Sequence, residues 1–158
     1  GAFYANFKSK EDLFFALLET EISSRVEKVR SRMEKFQDPS AKLKALRAFF
    51  LDMRLDRRWS LLALEFKLFA VRHPQVKARL AAMNRRFMSS RVSILHNVME
   101  GLGRDLPASA NAVAMSLSAL SNGLTLDHML DRTLMPEDDV KKIMANFFDR
   151  MTGTKPGS

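Results

Sequence analysis

No cysteine occurs among the 158 residues. Disulfides, thiolate metal sites and cysteine nucleophiles are therefore excluded, and a cytoplasmic location fits. Glycine and proline are scarce, at 6 and 5, so no pattern of short strands punctuated by turns can be read. No internal repeat or low-complexity tract is present. No apolar run approaches the roughly 18 residues of a membrane helix, and no secretory signal is visible, so no membrane partner is expected. A Gly-rich phosphate loop, a His-Glu-x-x-His pair and a Ser/His/Asp set are all missing. The chain is accordingly expected to be no enzyme and to carry no cofactor. His73, His96 and His128 lie far apart in sequence, whereas a metal site wants clustered ligands. Asp127, His128 and Asp131 could supply half a site on one helix turn, but a solvated helix face accounts for them better, and no metal is expected.

What is present is basic, apolar and helical. The net charge is +8 and the pI near 10.1. That balance favours a polyanion, either nucleic acid or an anionic surface, although a solubilising surface would look the same. The basic residues Arg25, Lys28, Arg30, Arg32, Lys35, Lys42, Lys44 and Arg47 are spread rather than confined to one face, which argues against a membrane-surface helix. Hydrophobic residues make up 46% and charged residues 28%, as in an ordinary soluble domain that needs no staple.

Most of the glycines and prolines fall between periodic segments, and six helices can be read. The first runs from about Ser9 to Phe36. Ser9 is a good N-cap, Glu11 and Asp12 occupy the first turn, and Leu13, Leu17, Ile22, Val26, Val29, Met33 and Phe36 keep helical spacing. Pro39, Pro74, Pro107 and Pro136 announce four further starts, since proline in the first turn sacrifices no intrahelical hydrogen bond. The second helix is expected over 39–55, the fourth over 74–100, the fifth over 107–131 and the sixth over 136–151. The third, 58–72, is apolar nearly all round through Leu61, Leu62, Ala63 and Leu64, which predicts a central place. Glu65 within it would then be a buried carboxylate in need of a partner. Residues 152–158 read as a disordered tail.

Residues 1–14, GAFYANFKSKEDLF, read as the end of a short helix, a turn, and the capped start of a long helix. Lys8 and Lys10 flank the cap, where the helix dipole is already positive. A phosphate held there would explain both lysines, and a solvated turn also fits. The string resembles the end of the recognition helix and the start of the next helix in the tetracycline-repressor (TetR) family, whose motif runs close to G-x-x-Y-x-x-F-x-x-K-E-x-L. Gly1, Tyr4, Phe7, Lys10, Glu11 and Leu13 match it. Leu64–Pro74 and Leu120–Leu124 also resemble recurrent segments of that family. The resemblance implies an all-α fold: the remnant of a helix-turn-helix over 1–8, with the earlier DNA-binding helices missing, and a ligand-binding and dimerisation domain over 9–151. It implies DNA phosphate contacts from Tyr4, Lys10 and, beside them, Lys8, with Phe7 in the helix-turn-helix core. Asn6 stands where the family often has His.

Met and Phe are abundant, at 10 and 12. Phe49, Met53, Trp59, Leu62, Phe66, Phe69, Met83, Phe87 and Met115, together with Met88, fall on helices two to five, which surround the ligand cavity in that family. A pliable apolar pocket is expected there, although ordinary core would use the same residues. On helix five, Ser116, Ser118, Ala119, Ser121 and Gly123 form a small-residue strip. On helix six, Val140, Ile143, Met144, Phe147, Phe148 and Met151 form a face too broad for one neighbour. The resemblance implies that these helices pair with their copies in a homodimer. The function expected is a DNA-binding repressor released by a small apolar or amphipathic effector, with a double-stranded operator as the partner of the full-length protein. The alternative is a helical dimerisation module without ligand control.

Overall fold

The computed structural model describes residues 7, 9–52 and 57–154, apart from the side chain of Arg57. Among them are six helices and no strand: α1 (Lys10–Glu34), α2 (Pro39–Asp52), α3 (Arg57–Arg72), α4 (Pro74–Gly101), α5 (Ala110–Leu130) and α6 (Glu137–Met151). Local chemistry sets most ends. The Ser9 hydroxyl accepts from the Asp12 amide at 3.1 Å, and Asp38 accepts from the Ala41 amide at 2.8 Å, each satisfying an otherwise orphaned donor of a first turn. Helix α4 ends in a paired turn. The Gly103 amide returns to the Glu100 carbonyl at 2.9 Å and the Arg104 amide to Met99 at 3.1 Å. Gly103 has φ +60° there, a conformation glycine takes without a Cβ penalty. Gly153, at φ +62°, closes α6 in the same way.

Two departures from the sequence expectation have a clear local cause. Helix α5 starts at Ala110 rather than Pro107, because the Ser109 hydroxyl takes the Ala112 amide at 3.2 Å and fixes the start three residues later. The chain also stays packed past Met151. Thr152 is fully buried, and its hydroxyl donates to the Phe148 carbonyl at 2.9 Å.

Helix α4 is the organising element and packs against α1, α2, α3 and α5. Its C-terminal half joins α2, α5 and α6 in the main core, built on Leu43, Phe50, Leu95, Val98, Met99, Val113, Leu117, Val140, Met144 and Phe148. Its N-terminal half joins α1 and α3 in a second core of Phe15, Leu18, Phe66, Ala70, Leu80 and Met83. A third, smaller cluster of Val29, Met33 and Ala45 ties the far end of α1 to α2. Helix α3 is not central. Leu61, Leu62, Leu68 and Val71 are exposed, because its neighbours cover only the side that bears Phe66 and Ala70. Glu65 is also exposed, so it needs no buried partner.

Candidate functional site

A partly enclosed cavity of about 90 Å³ lies between the main core and the third cluster. Five helices build it. Helix α1 contributes Arg25, Val26 and Val29, and α2 contributes Leu46, Phe49 and Phe50. Helix α4 adds Arg91, Ile94 and Leu95, α5 adds Ala114, Leu117 and Ser118, and α6 closes it with Phe148. Each apolar wall residue sits at a position its own helix buries, so the cavity is a gap where five amphipathic stripes fail to meet completely. Small-molecule pockets commonly run to about 300–1,000 Å³. In this conformation the space therefore takes a body of only a few heavy atoms, and anything larger has to part the helices.

The polar content of the wall is mainly cationic. The Arg25 guanidinium is held by Glu21 at 2.7 Å, one turn away on α1, and lies 5.9 Å from the centroid of the Trp59 ring. Arg91, on α4, makes no hydrogen bond or ion pair among the described residues. Burial, and after it the charge of Arg25, push Arg91 below the ordinary arginine value. Lys67 on α3 keeps solvent contact, yet the protein packed round its ammonium, and then the charge of Arg91, lower its pKa too. Three cations on three helices thus share one region.

The sequence-based pocket residues are dispersed. Phe49 lines the cavity. Phe66 and Met83 are buried in the second core, with Trp59, Phe69 and Phe87 packed round them. There Phe66 stacks on Phe14 at 3.8 Å and meets Phe15 edge-on at 5.1 Å, so the aromatic excess clamps the first turns of α1. Phe69 stacks on His73 at 3.9 Å and faces an open groove beside Ser9 and Glu11. Leu62 and Met115 are exposed, the latter at 55%. Met53 lies outside the described residues.

The residues assigned to pairing divide by face. Val140, Met144 and Phe148 are at most 2% exposed and belong to the protomer's own core. Ser121 is buried and Ser118 lines the cavity. Phe147 and Met151 are half-buried against the main core, while Ile143 and Gly123 are exposed. Leu130, the last residue of α5, and Leu134, in the turn after it, are exposed at 76% and 82%. Of the residues assigned to DNA, Lys10 is exposed at the first position of α1 and Phe7 is half-buried. Tyr4 and Lys8 lie outside the described residues. His128 and Asp131 serve the α5–α6 turn. His128 Nδ1 lies 2.8 Å from the Met135 carbonyl, and Asp131 Oδ1 accepts from the amides of Thr133 and Leu134. Among the described residues no three His, Asp or Glu side chains gather as a metal site would require, and no helix is long and apolar enough to cross a membrane.

Sequence reading missed the two cavity arginines, although a signal was there. Arg25 continues the series Leu18, Ile22, Arg25, Val29, Met33, and Arg91 the series Leu80, Met83, Phe87, Arg91, Leu95, Val98. Each is a charge standing in an apolar stripe.

Comparison with known proteins gives no match among curated proteins or solved structures. The sequence profile of the BetI-type transcriptional repressor C-terminal domain matches residues 39–153, a span that takes in α2 to α6 and four of the five cavity walls. The chain belongs to the TetR family of transcriptional regulators, through a C-terminal domain of the BetI repressor type.

Proposed function

We propose that this chain is the effector-sensing and pairing body of a ligand-responsive repressor. One observation carries the reading: an almost wholly apolar cavity bordered by α1, the helix that also bears Lys10. Arg25, Val26 and Val29 of α1 touch the cavity, and Lys10 begins the same helix fifteen residues earlier, a rise of about 22 Å. A ligand that fits only when α1 tilts outward favours the tilted state by its difference in affinity for the two, and the N-terminal end of α1 swings with it. Pairing of two copies through the outer faces of α5 and α6 would turn that tilt into a change in spacing between two DNA-reading heads. Gly123, Ile143, Leu130 and Leu134 supply the exposed small and apolar surface for it.

The DNA end of the reading rests on Lys10 and the Ser9 cap. In the full-length protein Lys10→Ala is expected to weaken binding to every duplex alike, because a phosphate contact carries no sequence information. It should lower the salt slope by about one per half-site. Titration of operator and random duplex at two salt concentrations checks this. A changed sequence preference at unchanged overall affinity would remove Lys10 from the phosphate role.

A second reading, a dimerisation module without ligand control, is favoured by the small size of the cavity. Native mass spectrometry of the purified chain separates the two, since a bound small molecule lost on unfolding belongs to the first reading alone.

A further inference from the structure

We infer that the ligand of this cavity is a small organic monoanion, a carboxylate on a short apolar body, with Arg91 as its partner; the inference rests on the effector-sensing reading above.

The cavity wall is apolar except for Arg25, Arg91 and Ser118. The two arginines differ in how their charge is met. Arg25 has the Glu21 carboxylate at 2.7 Å and the Trp59 ring at 5.9 Å. Arg91 has no carboxylate, carbonyl or hydroxyl partner among the described residues, and it borders a space large enough for one. A guanidinium keeps its proton at neutral pH even when burial and Arg25 lower its affinity for it. The site thus holds a permanent, partly desolvated positive charge with no partner among the described residues. Burying such a charge is expensive unless an anion joins it. A planar carboxylate matches the guanidinium fork with two parallel hydrogen bonds. A cationic ligand would add a further like charge beside Arg25, Lys67 and Arg91. The apolar residues on α2, α5 and α6 limit the rest of the ligand to a short hydrocarbon.

The test uses three isosteric probes on the whole chain: butyrate, butyramide and butylammonium, titrated at constant ionic strength. Trp59 is the single tryptophan and lies beside Arg25, so its fluorescence reports occupancy, with calorimetry as a second readout. Butyrate is expected to bind about tenfold or more tighter than butyramide, as a charged hydrogen bond warrants, and butylammonium weakest. Arg91→Met should abolish the preference for butyrate. It should also raise the thermal midpoint of the free chain by about 2–4 °C, because it removes a half-buried charge that has no partner among the described residues; a merely structural arginine would give the opposite shift. Ala114→Ile, which fills the cavity, should weaken all probes.

Butyramide or butylammonium binding as tightly as butyrate, with Ala114→Ile still weakening them, would overturn the anion inference and leave the cavity as a ligand site. A butyrate preference that survives in Arg91→Met would overturn the role of Arg91. Failure of all three probes to bind, or binding untouched by Ala114→Ile, would overturn the inference; the effector-sensing reading falls with it only if native mass spectrometry of the purified chain also finds no bound small molecule.

Discussion

Arg47 and Asp149 show what a single buried pair does in this fold. They stand 102 residues apart, on α2 and α6, and make two hydrogen bonds of 2.7 and 2.9 Å in the side-by-side arrangement of a guanidinium on a carboxylate. Asp149 is 3% exposed, while Arg47 keeps one side open to solvent. The hydrogen bond to Asp149 holds Arg47 above the usual arginine pKa, against the opposing effect of burial. A raised pKa contributes stability that is fully present below the ordinary arginine value and fades only as the pH climbs through the higher folded value. On the arginine side the pair therefore holds throughout the working range. Removing Arg47 alone strands a buried carboxylate. Arg47→Met is expected to destabilise the chain by about 2–4 kcal/mol, below the full cost of breaking a wholly buried pair because of that open side. The double variant Arg47→Met, Asp149→Leu should recover much of the loss, since no charge is then left buried. Urea midpoints of the three proteins decide it; a double variant weaker than the single would mean that shape, rather than charge, holds α2 to α6.

At the scale of elements, Asp131 makes most of the side-chain hydrogen bonds in the turn between α5 and α6, with His128 beside it. Asp131 Oδ1 accepts from the Thr133 hydroxyl at 2.6 Å, its amide at 2.8 Å and the Leu134 amide at 3.2 Å. Those bonds favour the carboxylate and lower its pKa from the ordinary 3.8, the Thr133 side chain contributing most. A lowered pKa gives stability that is present above the unfolded value and lost as the pH falls through the folded one. The turn is therefore expected to loosen only below about pH 3.8. Side-chain and amide chemical shifts of Thr133 and Leu134, followed through an acid titration, should move in that window and stay flat above it. In Asp131→Ala the same amides should exchange freely with solvent at every pH. Transitions centred well above pH 4 would assign the turn's stability to another group.

For the whole molecule, the unfilled question of the fold is what covers the outer face of α5. Gly123 sits in the middle of that helix, and beyond its chain neighbours and the adjoining helix backbone no atom lies within 4 Å of where a Cβ would stand. In the isolated protomer Gly123→Ala should be stabilising by about 0.8–1 kcal/mol, the helix-propensity difference. If α5 packs on its copy at that point, the added methyl group pushes two backbones apart. The same substitution should then weaken self-association while strengthening the protomer. Sedimentation equilibrium and thermal unfolding, measured at several protein concentrations, separate the two effects. Ile143→Glu on α6 is expected to impair pairing without disturbing the core, because that side chain is 39% exposed while its neighbour Met144 is fully buried. A chain whose association is indifferent to both substitutions pairs through another surface.

The number, order and type of the helices follow from the sequence alone. Their ends are set by groups a few residues apart: Ser9 with Asp12, Asp38 with Ala41, and Gly103 beyond the end of α4. Hydrogen bonds of that kind need no distant partner, so they can be read locally. Ser109 shows the limit even there, since a hydroxyl prevailed over the proline two residues earlier as the start of α5. Tertiary structure alone decided which apolar stripe meets which. Burial of apolar surface is non-directional, so Phe66, Met83 and Phe148 read equally well as core, pocket wall or seam until their neighbours are known. Tertiary packing put the first two in the core that clamps α1 and placed Phe148 both in the main core and at the cavity wall. It also brought Arg25 and Arg91, on helices separated by two others in the chain, to one cavity. Each was visible in sequence as a charge out of place in an apolar stripe; that they share a site depends on the packing of α1 against α4, which no local pattern encodes.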